Sequence, residues 1–188
     1  MIIQPGKARE DAQEIAIAEA MKKQLDKLKK SEEKVMDCIE VLQILDGVTG
    51  NVENMLNRMQ ELAERVASGT LTEEECGYCQ QENEQLQKEI DRTGAEAISD
   101  SIKKYFSPDG KITLQLGESD TERISFPSRE ISCAAFGVDA SKVDISTPEK
   151  AAKAVTFINI AQELLQGQRT IQGVVQSRLE RAKEYQGL

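Results

Sequence analysis

From about Arg9 to Ser68 the apolar side chains recur three and four residues apart, at Ala18, Met21, Leu25, Leu28, Val35, Ile39 and Leu42. They resume at Leu45, Val48, Val52, Met55, Met59, Leu62 and Val66. That spacing puts one apolar stripe along one face of a helix, as in a coiled coil. Glu32 interrupts the stripe, and two successive three-residue steps at Leu42, Leu45 and Val48 overwind it locally. A continuous helix over 9–68 would be roughly 90 Å long at ~1.5 Å per residue, too long for a compact domain of 188 residues. The chain is therefore expected to be elongated, as a single domain over 1–188. Gly47 and Gly50 in mid-stripe predict a bend or a close helix contact.

Gly69 follows the first helix as a stop, and Thr72 with Glu75 three residues later forms a capping box that opens a second helix. Its stripe, Cys76, Cys79, Asn83, Leu86, Ile90 and Ala97, predicts a helix over 72–104 running antiparallel to the first. Ser107-Pro108-Asp109-Gly110 is a turn signal. The alternation of Ile112, Leu114 and Leu116, and then of Ile124 and Phe126, predicts a β-hairpin over 111–127 capping one end of the bundle. An irregular stretch over 128–146 follows. Thr147-Pro148-Glu149 then opens a last helix over 147–186, with Gly167 and Gly173 allowing close approach to the first. The expected fold is mainly α, an elongated antiparallel helical bundle or coiled-coil rod with a small β-hairpin region at one end.

The function classes narrow by exclusion. A net charge of −9 lacks the basic surface that releases counterions from nucleic acid. No run approaches the ~20 apolar residues of a membrane span, so neither nucleic-acid binding nor membrane insertion is expected. The absence of histidine removes the commonest general base and zinc nitrogen ligand. The N-terminus has no stretch long enough for a signal peptide.

Cys76-Gly77-Tyr78-Cys79 has C-x-x-C spacing, which admits redox chemistry. Glu73, Glu74 and Glu75 before it oppose a thiolate while the helix N-terminus favours one, and two cysteines in a helix seam explain the spacing as well. An all-sulfur zinc site would need Cys38, Cys76, Cys79 and Cys133 to converge without a second C-x-x-C. No catalytic residue, cofactor or metal is expected.

Leu56-Asn57-Arg58-Met59-Gln60-Glu61-Leu62-Ala63, followed by Ala67-Ser68-Gly69-Thr70, resembles the flagellin segment L-x-R-M-R-E-L-A…A-N-G-T. Further resemblances keep the same order: Ala16-Ile17-Ala18-Glu19-Ala20-Met21 upstream, then Glu89-Ile90-Asp91-Arg92, Thr113-Leu114-Gln115-Leu116-Gly117 and Gln176-Ser177-Arg178-Leu179-Glu180. The resemblance to bacterial flagellin covers nearly the whole chain. It implies an inner core domain without the terminal channel-lining helices and the variable outer domain. It also implies a non-enzymatic filament subunit for motility, exported through the flagellar apparatus without a cleaved signal peptide and located outside the cell. Other flagellin subunits and the export machinery are the implied partners.

The same resemblance implies a surface for the flagellin-sensing Toll-like receptor, which by position falls on Arg58, Leu62 and Glu82, with Glu61 beside them. Gln60 stands where the motif has its second arginine. The competing expectations are a coiled-coil adaptor or export-associated protein and a C-x-x-C redox protein.

Overall fold

A computed structural model describes residues 5–97, 100–107, 109–116 and 122–185. One helix, α1, runs unbroken from Pro5 to Ala67. At 63 residues it spans about 95 Å, at ~1.5 Å per residue. It ends where Gly69 takes the left-handed conformation, φ 68°, that lets a chain leave a helix without steric cost. The second helix, α2, covers Glu73–Ala97. The capping box forms as the sequence indicates. The Thr72 N–H donates to the Glu75 carboxylate at 2.8 Å and the Glu75 N–H donates back to the Thr72 hydroxyl at 3.3 Å.

Of the expected helix over 72–104, Glu73–Ala97 is α2 and Asp100–Lys103, labelled α3, is also helical, and residues 98 and 99 between them lie outside the described residues. The expected hairpin gains a third strand. β1 (Phe106–Ser107), β2 (Lys111–Gln115) and β3 (Arg123–Pro127) form one antiparallel sheet in that order. Ile112 pairs with Phe126 and Leu114 with Ile124, so one face of the sheet is apolar. The left-handed Gly110, φ 73°, closes the β1–β2 turn with its N–H donating to the Ser107 carbonyl. The expected turn at Gly117–Thr121 lies outside the described residues. The stretch expected to be irregular contains a short helix, α4 (Cys133–Phe136), capped by the Ser132 hydroxyl and ended by the left-handed Gly137. The last helix, α5, covers Pro148–Tyr185, with proline in its first turn and the Thr147 hydroxyl accepting from the Lys150 N–H.

Two apolar clusters hold these elements. The larger joins Val52, Leu56, Met59, Leu62 and Val66 of α1 to Cys76, Cys79 and Ile90 of α2, to Ile158, Ala161 and Leu165 of α5, and to the loop around Val138, Val143 and Ile145. The smaller sets the apolar face of the sheet against Cys38, Leu42 and Leu45 of α1 and Val175 and Leu179 of α5. The sheet thus sits beyond the end of α2, while α1 continues past it.

The last helix is expected to pack along the first, and over the described residues the 38-residue α5 lies against the second half of the 63-residue α1. In the first half Ala18, Met21, Leu25 and Leu28 of the stripe are exposed, Met21 by 65% and Leu28 by 57%. The helix continues through Gly47 and Gly50, and a Cβ at either would meet nothing within 4 Å, as at Gly167 and Gly173. None of the four makes the close contact expected of it. The close approach falls at Gly94, where a Cβ would lie 1.7 Å from the Ile131 carbonyl oxygen.

Candidate functional site

Arg58 lies on the outer face of α1, one turn from Glu61 and opposite Glu82 on α2. Three and four residues apart on a helix means one face, so Arg58 and Glu61 meet by local geometry alone. Glu82 arrives because α2 folds back antiparallel and the capping box fixes where it begins. The Arg58 guanidinium donates from Nε to one Glu82 oxygen at 2.6 Å and from Nη2 to the other at 3.1 Å, a two-pronged pair, while Nη1 donates to Glu61 at 3.0 Å. Hydrogen bonding from Arg58 holds the Glu82 carboxyl below its usual range, and Glu82 and Glu61 push the guanidinium further up. The cluster is open to water, which screens its electrostatic contribution.

Of the four residues singled out from sequence, three are thus brought together. Leu62 is not among them. It is 1% exposed and belongs to the larger core beneath the cluster. In this conformation it acts by supporting α1 from below.

The same face continues toward α5 through residues the sequence did not single out. The Gln162 amide donates to Asn57 at 2.9 Å and to Gln60 at 2.8 Å, and Gln60 donates on to Glu64. Arg169 bonds Glu53 and reaches Asp46 at 3.3 Å. Outer α1 from Asp46 to Glu64 is therefore a polar network tied to α5 on one side and α2 on the other, above a dry core. Only the register between helices brings these groups together, and no spacing within one helix signals that.

A second polar set faces inward from α2. Gln80 accepts from the Ile145 N–H at 2.7 Å, Asn83 donates to the Val143 carbonyl at 3.3 Å, and Gln87 donates to the Val138 and Val143 carbonyls at 2.9 and 3.2 Å. Asp91 accepts from the Cys133 N–H at 2.7 Å. These side chains, three and four residues apart, hold the loop from Ile131 to Ser146 by its main chain. Buried main-chain groups must find partners, and α2 supplies them.

All four cysteines are free and buried. Cys76, Cys79 and Cys133 belong to the larger cluster and Cys38 to the smaller, so the four sulfurs do not converge. Burial pushes the Cys38 thiol up to about 11 and the Cys133 thiol, beside Asp91, up to about 12. Cys76 and Cys79 face the core at 4% and 5% exposure, so the C-x-x-C presents no open thiol at the start of α2. Among the described residues no helix is long and apolar enough to cross a membrane.

Residues 5–100 match the family model described as the bacterial flagellin N-terminal helical region. The chain is 31% identical over 149 residues to a flagellin of Salmonella muenchen, covering 79% of this chain and 29% of that protein. It is 26% identical to a flagellin of Halalkalibacterium halodurans, covering 93% of this chain and 64% of that one. It is 27% identical to the flagellar filament 33 kDa core protein of Treponema phagedenis, covering 93% and 66%. The chain thus spans from under a third to about two thirds of the length of these relatives. The crystal structure of Bacillus cereus flagellin shares the fold, with a TM-score of 0.68, 19% identity, and coverage of 82% of this chain and 88% of that one.

Proposed function

This chain belongs to the bacterial flagellin family, and on that premise we propose that it is a structural subunit of a flagellar filament, acting through the packing of its long helices. The supporting observation is the first half of α1. Ile15, Ile17, Met21, Leu25 and Leu28 are each more than half exposed on a helix that leaves the rest of the fold behind. A face of that size exposed to water is unfavourable in a lone chain and is the kind of surface that association covers. Motility is then the consequence of assembly, and the place of action is outside the cell, reached through the flagellar export machinery without a cleaved signal peptide. The test is sedimentation and electron microscopy of the full-length gene product. Met21→Glu with Leu25→Glu should abolish assemblies that form with the natural residues, at unchanged helix content. Assembly indifferent to both changes would overturn the proposal.

A second reading concerns the outer face of α1. Arg58, held between Glu82 and Glu61, is a pre-ordered charged group on an exposed surface, the kind of feature a flagellin-sensing Toll-like receptor could engage. Arg58→Ala should weaken receptor signalling by soluble protein at least tenfold. Signalling that survives the change intact would remove this reading.

A further inference from the structure

Between the two apolar clusters lies a level of the bundle whose fully buried side chains are all polar. On α1 the smaller cluster ends at Leu45 and the larger begins at Val52, and on α5 the larger ends at Leu165 and the smaller begins at Val175. Across 46–51 and 166–174 the buried residues are Thr49, Gln168 and Gln172, with Val48 and Ile171 half-buried. One contact between the helices marks the level, the Thr49 hydroxyl 3.4 Å from Gln172 Oε1.

This level is weakly held. The Thr49 hydroxyl has one proton, and the Leu45 and Asp46 carbonyls at 2.9 and 3.0 Å take it ahead of Gln172. Gln168 Oε1 and Gln172 Nε2 find no hydrogen-bond partner among the described residues. Unpaired buried polar atoms are costly, and water removes that cost once the layer opens. A groove of about 410 Å³ lined by Gly167 and Gln168, and another of about 360 Å³ lined by Gln172 and Gly173, bring solvent to its edges. On the outside Arg169 ties Asp46 and Glu53 to α5 through part-exposed ion pairs, which exchange readily for water.

The helix backbones are weakened at the same place. Gly47 and Gly50 bracket Thr49, and Gly167 and Gly173 bracket Gln168 and Gln172. A Cβ at any of the four would meet nothing within 4 Å, so no close packing explains them, and glycine inside a helix favours the open chain. On each helix a threonine between the glycines bonds back to the carbonyl four residues earlier, Thr49 to Leu45 and Thr170 to Gln166. Such bonds loosen and bend helices. Two glycines and a back-bonded threonine on each helix thus meet where the core is polar.

We propose that this level is a joint. Both helices open there, water enters onto Gln168 and Gln172, and the two apolar clusters stay packed on either side. The sheet end of the rod then moves relative to the α2 end, with the opening confined to the segment that has the fewest apolar contacts to lose. The inference concerns the single chain and stands apart from the filament reading.

The test is residue-resolved hydrogen exchange of the full-length chain in dilute solution, expressed as protection factors. Amides of 46–51 and 167–173 should be less protected than those of 38–45 and 52–62 by about tenfold or more. Gly47→Ala with Gly167→Ala, whose methyls meet nothing, should narrow that difference. So should Thr49→Val with Gln172→Met, which replaces both partners by apolar groups of similar shape. Spin labels on unnatural amino acids at Tyr78 and Lys111, one on each side of the level, should give a broad distance distribution that sharpens in both variants. Joint amides as protected as both flanks, a single sharp distance in the parent, or a difference that neither variant narrows would overturn the inference.

Discussion

The two halves of α1 have the same apolar periodicity and opposite fates. From Val35 to Val66 the stripe is buried or half-buried, with Val52, Leu56 and Met59 at 0% exposure against α2 and α5. From Ile15 to Leu28 it faces water. Periodicity specifies which face of a helix is apolar; the placement of the neighbouring elements decides where that face is covered. Among the described residues the second half therefore carries the fold.

The largest expected effect tests that division directly. Leu56→Ala or Met59→Ala should cost about 2–5 kcal/mol of unfolding free energy, because a buried apolar side chain is lost and a cavity remains. Leu25→Ala should change it by less than about 0.5 kcal/mol. Urea denaturation of the three variants measures the contrast, and comparable losses in both halves would break it.

Next in size is the contrast between held and open glycines. Gly94→Ala should destabilise by about 1–3 kcal/mol, since the new methyl meets the Ile131 carbonyl. Gly47→Ala should stabilise by roughly 0.5–1 kcal/mol, because its position is open and alanine favours helix. Thermal melts of opposite sign are expected. A Gly94 variant as stable as the parent would show that the loop yields to α2.

The smallest effect is electrostatic. Lys150 and Ser146 hold the Asp144 carboxyl down to about 2, from an ordinary value near 3.8. A depressed pKa adds stability that is present above the unfolded value and is lost as pH falls through the folded one. The window is therefore roughly pH 4 to 2. Both partners are more than a third exposed, so water screens the contribution to under about 1 kcal/mol. Asp144→Asn should flatten the acid limb of a stability–pH curve by that amount and leave the curve near pH 7 parallel to the parent's.

Much of the fold was legible in the sequence because its signals are local. The three-and-four spacing marked α1 and α5, Thr72 with Glu75 marked the start of α2, and alternation marked β2 and β3. What escaped depends on relations between elements. β1 has two residues, too few to alternate, and is a strand only because β2 lies beside it. Asn83 falls on the stripe of α2, but no spacing within that helix signals that Gln80, Asn83 and Gln87 meet the main chain of the loop. At the candidate site, the meeting of Arg58 and Glu61 follows from helix geometry and that of Arg58 and Glu82 needs the antiparallel register. Leu62, one residue and about 100° of helix turn from the exposed Glu61, is buried in the core beneath them.

The grip of α2 on the loop has a further consequence. Gln80, Asn83 and Gln87 bond peptide groups, which every residue has, so these bonds do not depend on which side chains the loop carries. Exposed positions such as Ala134, Ala140, Ser141 and Lys142 can drift in identity while the path of the chain stays fixed. The constraint rests on three amides and the Asp91 carboxylate of the helix, and a change in any of them would be felt along a loop whose own sequence had not altered.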